Sequence, residues 1–137
     1  MAASVLAATV HASSGKGAFV DNSGNVNSMS FKASVDDAGN VYGNVQDVIT
    51  LPGKNIKFHG INSCFALISP NTAVFGGVID SSNDPSNVGQ YYVVMVVDNS
   101  KLGIPDQIGI EYSKTQPDCL KANVTLYDMI RGSNNVY

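Results

Sequence analysis

The stretch "FKASVDDAGNVYGNV", Phe31 to Val45, decides the fold class of this 137-residue chain. Phe31, Ala33 and Val35 alternate with polar residues on the way in, and Val41, Gly43 and Val45 alternate on the way out. That is the two-residue period of a pair of half-buried strands. Between them "DDAGN", Asp36 to Asn40, supplies Asp and Asn side chains that bond their own backbone and a Gly that takes positive φ without steric cost. The stretch predicts an antiparallel hairpin.

The same alternation of strand and turn runs along the chain. Candidate strands are Gly17–Asp21, Ser28–Asp36, Asn40–Thr50, Asn55–Gly60, Cys64–Ile68, Thr72–Ile79, Gln90–Val97, Gln107–Tyr112, Lys121–Leu126 and Met129–Tyr137. "DNSGN", "LPGKN", "SPNT" and "SSNDPSN" carry the turn residues between them. The expected fold is all-β, an antiparallel β-sandwich or barrel of about ten short strands. "YYVVMVV", Tyr91 to Val97, is apolar at every position and predicts a central strand covered on both faces.

Composition narrows the function classes. Charged residues are 14% of the chain, against roughly 25% in ordinary soluble domains, which points to an extracellular protein. Net charge is −3, and the eight Lys and Arg are spread from Lys16 to Arg131 without a cluster, so nucleic acid is excluded as a partner. No apolar run reaches the roughly 18 residues of a membrane span. The beginning, "MAASVLAATVHASS", has an apolar run from Ala2 to Val10 and a small-x-small pattern, Val10-His11-Ala12, before Ser13. It lacks a positive n-region, so residues 1–12 read either as a signal-peptide remnant or as an N-terminal strand, ahead of one β-domain over 13–137. Such a strand, with Val5, Ala7 and Thr9 on one face and Leu6, Ala8 and Val10 on the other, pairs within its own sheet or is lent to a neighbouring subunit.

Two polar loops invite a chemical reading. In "VVDNSKLGIPDQIGI", Val96 to Ile110, Asp98 and Asn99 can close an Asx turn and Pro105 can end it, while Asp106 can cap free amides. A connection explains these residues. The rival is a Ca²⁺ site built on Asp98, Asn99 and Asp106, although no spacing here enforces the six to eight or so oxygens calcium takes. "DSSNDPSN", Asp80 to Asn87, is a second oxygen-rich cluster, read as an exposed loop.

Cys64 and Cys119 are the only cysteines, and in a secreted domain two cysteines make one disulfide, with two buried thiols as the alternative. The closed loop of about 55 residues is worth roughly 4 kcal/mol in the chain-entropy model. The sequon Asn123-Val124-Thr125 matters only in a eukaryotic secretory route.

An enzyme would draw its acid and base from His59, Tyr92, Glu111 and Tyr112, with Ser63 and Cys64 near His59 in sequence. No nucleophile elbow, phosphate loop or metal signature supports them. His59 also alternates away from Ile56 and Phe58, as a surface histidine would. Carbohydrate stacking could use Tyr42, Tyr91, Tyr92, Tyr112 and Tyr127. Against it stand the absence of Trp and the position of the tyrosines in strands, where packing is the default.

The succession "GKGAFVD", "FKASVDDAGNVYGNV", "KFHGINS", "TAVFGGVID", "GQYYVVMVVDN", "GIPDQIGI" and "IRGSNNVY", over Gly15 to Tyr137, resembles the small all-β domain of the post-COAP type. The resemblance rests on Gly and Asp at hairpin positions, and the cysteines and apolar leader depart from the usual pattern. It implies a module of secreted and cell-surface bacterial proteins and brings no catalytic residues. Together these readings give a secreted, non-enzymatic structural or adhesive domain, a subunit of an extracellular assembly that uses its N-terminal strand. It would associate with itself or with another surface protein. The alternative is a barrel that binds a small ligand or carbohydrate, or an enzyme with a pocket near His59.

Overall fold

A computed structural model describes residues 9–136. Nine strands form one sheet: β1 Thr9–Val20, β2 Val26–Asp36, β3 Val41–Leu51, β4 Lys54–Ser69, β5 Thr72–Ser82, β6 Tyr91–Val97, β7 Gln107–Ser113, β8 Tyr127–Asp128 and β9 Arg131–Val136. Their order across the sheet is β8-β7-β6-β5-β4-β3-β2-β1-β9, and every neighbouring pair is antiparallel. The fold is the all-β antiparallel class that the hairpin pattern predicts.

Hairpins carry this order because the turns are specified locally. Asp21 Oδ1 accepts from the backbone N–H groups of Ser23 and Asn25, and Asp36 Oδ1 accepts from those of Ala38 and Asn40. The same five-residue device, Asp-x-x-Gly-Asn, thus closes both of the first two turns, with Gly24 and Gly39 at φ of 80° and 84°. In the second turn Tyr42 adds a hydroxyl donor to Asp36 Oδ2.

The sheet curls until its first and last strands meet. Tyr127 and Asp128 pair with β7, and Met129 N–H still donates to Asp106 O on that side. One residue later Ile130 N–H donates to Ala18 O, and β9 runs along β1. Ten consecutive residues or so therefore bridge the two borders of the sheet. Rings meet across the interior: Phe31 of β2 and Phe75 of β5 at 5.1 Å, and Phe58 of β4 and Tyr112 of β7 at 5.4 Å. Phe19, Met29, Val45, Ile79, Tyr92, Val94, Val96 and Ile108 fill the rest. The inside is a packed core.

Two sequence expectations are corrected here. Asn55–Gly60 and Cys64–Ile68 are one 16-residue strand, β4, because its ladder with β5 absorbs "GINS" through irregularities at His59/Gly60 and Asn62/Cys64. Gly60 is needed there: a Cβ on it would run into the ring of Tyr92, whose hydroxyl donates to Asn62 Oδ1 at 2.6 Å. Lys121–Leu126 is not a strand. Residues 114–126 cross the outer face of the sheet, where the Thr125 carbonyl lies against Gly109 and the Pro117 ring against Gly76. Cys119 is disulfide-bonded to Cys64, with Cα atoms 5.9 Å apart. This crossing builds a second small core of Ala66, Val74 and Cys119 against Val93 and Met95. It is the second cover that "YYVVMVV" requires.

The first strand starts earlier than Gly17. Thr9 to Ala12 pair with Asp36 to Ser34 of β2, so the last four residues of the 1–12 segment lie in their own sheet. The remainder of that segment, with Val5, Leu6 and Ala7, lies outside the described residues. No helix among the described residues is long and apolar enough to cross a membrane.

Candidate functional site

The loop with Asp98, Asn99 and Asp106 is built as a clasp. Asp106 Oδ1 accepts from Asn99 N–H at 2.7 Å, and its Oδ2 accepts from Asn134 N–H of β9 at 2.7 Å. Asn99 Nδ2 donates to Pro105 O, and Asn134 Nδ2 donates to Gln107 O. Asp98 Oδ1 takes the N–H of Ser100, and its Oδ2 faces the N–H of Val136 at 3.4 Å. The carboxylates that could have served calcium are engaged by amides. Among the described residues no group of three or more His, Cys, Asp or Glu side chains could hold a metal ion. What the arrangement does is hold β9 in place, by satisfying buried N–H groups that no neighbouring strand reaches. Asp106→Ala would strand two such groups and is expected to lower stability by about 3 kcal/mol, read by urea denaturation at neutral pH. Added calcium should leave that value unchanged.

His59, Tyr92, Glu111 and Tyr112 do not converge. His59 faces outward from β4 and pairs with Asp80 of β5, Nδ1 to Oδ1 at 2.6 Å. Glu111 lies on the outer face of β7 and accepts the N–H of Thr125 at 3.3 Å. Tyr92 is buried in the core, and burial pushes its hydroxyl pKa up. Tyr112 exposes part of its ring while its hydroxyl donates inward to Asp47 Oδ2 at 3.2 Å. Burial, with Asp47 beside it, pushes that hydroxyl well up as well.

Asp47 is the residue the sequence reading passed over. It stands between Val45 and Ile49 on the core-facing side of β3, 1% exposed, and its Oδ1 has no hydrogen-bond partner. Burial pushes its carboxyl up to about 7, offset in part by Tyr112 and the Val48 N–H and reinforced by Asp21. An acid at an apolar position of "VYGNVQDVITL" was the signal that could have found it.

Part of one border of β4 is left without a partner strand among the described residues. β3 pairs with β4 only from Lys54 to Ile61, whereas β4 continues to Ser69. Within residues 63–69, "SCFALIS", Cys64–Leu67 and Ser69 pair with β5, and no strand among the described residues pairs along the other side. Asn62 marks the parting: its Nδ2 crosses to donate to Lys32 O of β2. Beyond it Ile68 is half exposed. An apolar, unpaired strand border of this length is a template for a further strand. No family model, curated protein or solved structure matches the chain.

Proposed function

We propose that this protein is a secreted, non-enzymatic structural or adhesive module that joins an extracellular assembly by taking a strand along the open border of β4. The observation that carries this reading is the border of Ser63–Ser69 away from β5, along which no strand among the described residues pairs, since strand addition to a free sheet edge supplies affinity through main-chain hydrogen bonds. The Cys64–Cys119 disulfide suits an oxidising compartment. The scatter of His59, Tyr92, Glu111 and Tyr112 favours a non-catalytic role, and the resemblance to post-COAP-type domains supports a place outside the cell. The donor in this proposal is the apolar beginning of a second copy.

Light scattering tests it on three proteins: the full chain, a chain beginning at Thr9, and the full chain carrying Ile68→Lys. The full chain is expected well above its monomer mass of 14.4 kDa, and both variants at that mass with the circular dichroism of the parent. A lysine there charges the border without touching the core. If the chain beginning at Thr9 still assembles while Ile68→Lys does not, the edge is right and the donor lies elsewhere. A monomeric full chain at high concentration would overturn self-association.

A further inference from the structure

The outer face of β9, β1, β2, β3 and the first half of β4 has a character the sequence conceals. Strand register sets Ser133, Lys16, Ser30, Gln46 and His59 in one row across these strands. The next row holds Arg131, Ala18, Ser28, Val48 and Lys57. Lys32 stands one row to the other side, opposite Ser14 and Asn44. Residues distant in sequence thus bring four of the chain's eight Lys and Arg onto one face. The one carboxylate at the outward positions of these segments is Asp36 at the end of β2, engaged by its own turn and by Tyr42, and Asp80 of β5 bonds His59 at the margin; none of the four cations is paired with a carboxylate among the described residues. On a chain of net charge −3 this is a marked separation of charge.

The face is also hollowed. A groove of about 550 Å³ has Lys16, Gln46 and Arg131 about it, Ser28 and Ser30 along it, and an apolar floor that includes Val48. A second hollow of about 330 Å³ continues from Gln46, Asp47 and Val48 towards Lys57, Phe58 and His59; Asp47 and Phe58 themselves are buried in the core. Arg131 is set for use: its Nη2 donates to Ser28 Oγ at 3.1 Å, and the row order means its side chain spans β1 to do so. Ala18, the residue spanned, is fully buried. A guanidinium fixed in this way loses little freedom when it meets an anion.

We propose that this groove binds an acidic polysaccharide, a sugar chain bearing a carboxylate or sulfate on its repeating units. Cations spaced along the groove match anions spaced along a chain, and the Ser and Gln side chains between them can exchange hydrogen bonds with sugar hydroxyls. The lining of the larger hollow holds no aromatic ring. That disfavours a neutral sugar held by stacking and a single-stranded nucleic acid held through its bases. The site is separate from the open border of β4 and does not depend on it.

Calorimetry on the full chain at low salt tests the proposal with four probes: polygalacturonate, dextran sulfate, neutral dextran and a single-stranded oligonucleotide. Binding of either acidic glycan, with dextran silent and the oligonucleotide weaker, is the expected result, and the two glycans separate carboxylate from sulfate as the favoured group. Lys16→Ala with Arg131→Ala should weaken that binding about tenfold or more, because charged hydrogen bonds are lost. The thermal melt should stay unchanged. Ile68→Lys should leave glycan binding as it is, which keeps this result apart from the assembly test. The proposal is overturned if neither glycan binds, if dextran binds equally, if the double variant binds like the parent, or if the oligonucleotide binds as tightly.

Discussion

Replacing Cys64 and Cys119 by serine is expected to lower the stability of the fold by roughly 4 kcal/mol and its Tm by roughly 10–15 °C. The bridge closes a loop with a sequence separation of 55, and cross-linking a loop of that size restricts the unfolded chain substantially. The folded side matters too. Residues 114–126 cross the sheet without a β-ladder, held by the bridge, by apolar contacts around Cys119 and Val124, and by the Thr125–Glu111 hydrogen bond. Without the bridge that crossing loosens, and the outward faces of Val93 and Met95 lose their cover. The variant should bind a hydrophobic dye such as ANS below its Tm, and the parent should not. A loss below about 1 kcal/mol would show that the crossing is held mainly by its apolar contacts.

Asp47→Asn is expected to stabilise the protein at pH 8 and to leave it nearly unchanged at pH 4. The carboxyl sits at about 7 when folded because burial disfavours its charge, while in the unfolded chain it returns to about 3.9. Between those values the folded state binds more protons than the unfolded state, so stability falls as pH rises through this window. The loss is complete above pH 7 and amounts to about 4 kcal/mol. Below pH 4 the group is protonated in both states and contributes no difference. Asp36 and Asp98 work in the opposite sense. Both carboxyls are held below the ordinary value by hydrogen bonds that outweigh their desolvation, so the stability they add is lost as the solution becomes more acidic. The parent should be most stable in mildly acidic solution, and Asp47→Asn should flatten the decline towards pH 8. Guanidinium denaturation at pH 4, 6 and 8 reads both effects, and parallel pH curves for parent and variant would count against a charged Asp47 in the core.

Most of the architecture was legible because turn chemistry and two-residue alternation are local. Asp21 and Asp36 bond amides two and four residues away, and no distant partner is needed to specify such a turn. The disulfide was legible from number alone. Lys121–Leu126 misled because its Val124 and Leu126 alternate like a strand, while tertiary attachment lays the segment across the sheet. Neither feature on which binding is proposed was visible. The open border of β4 exists only because β3 stops pairing at Ile61, and the basic face exists only because register aligns Lys16, Lys57 and Arg131 from three parts of the chain. The even spread of Lys and Arg along the sequence is real, and folding undoes it.

The pairing of β1 with β9 bears on how the protein comes into being. Ser13 lies beside Val136 and Gly17 beside Gly132, so β1 acquires its second neighbour only when the distant segment β9 is in place. Hairpins between neighbouring strands can form one after another, yet the sheet is not held together across its curl until β9 joins β1 and Asp106 captures Asn134. Locking depends on the least local contact among these strands.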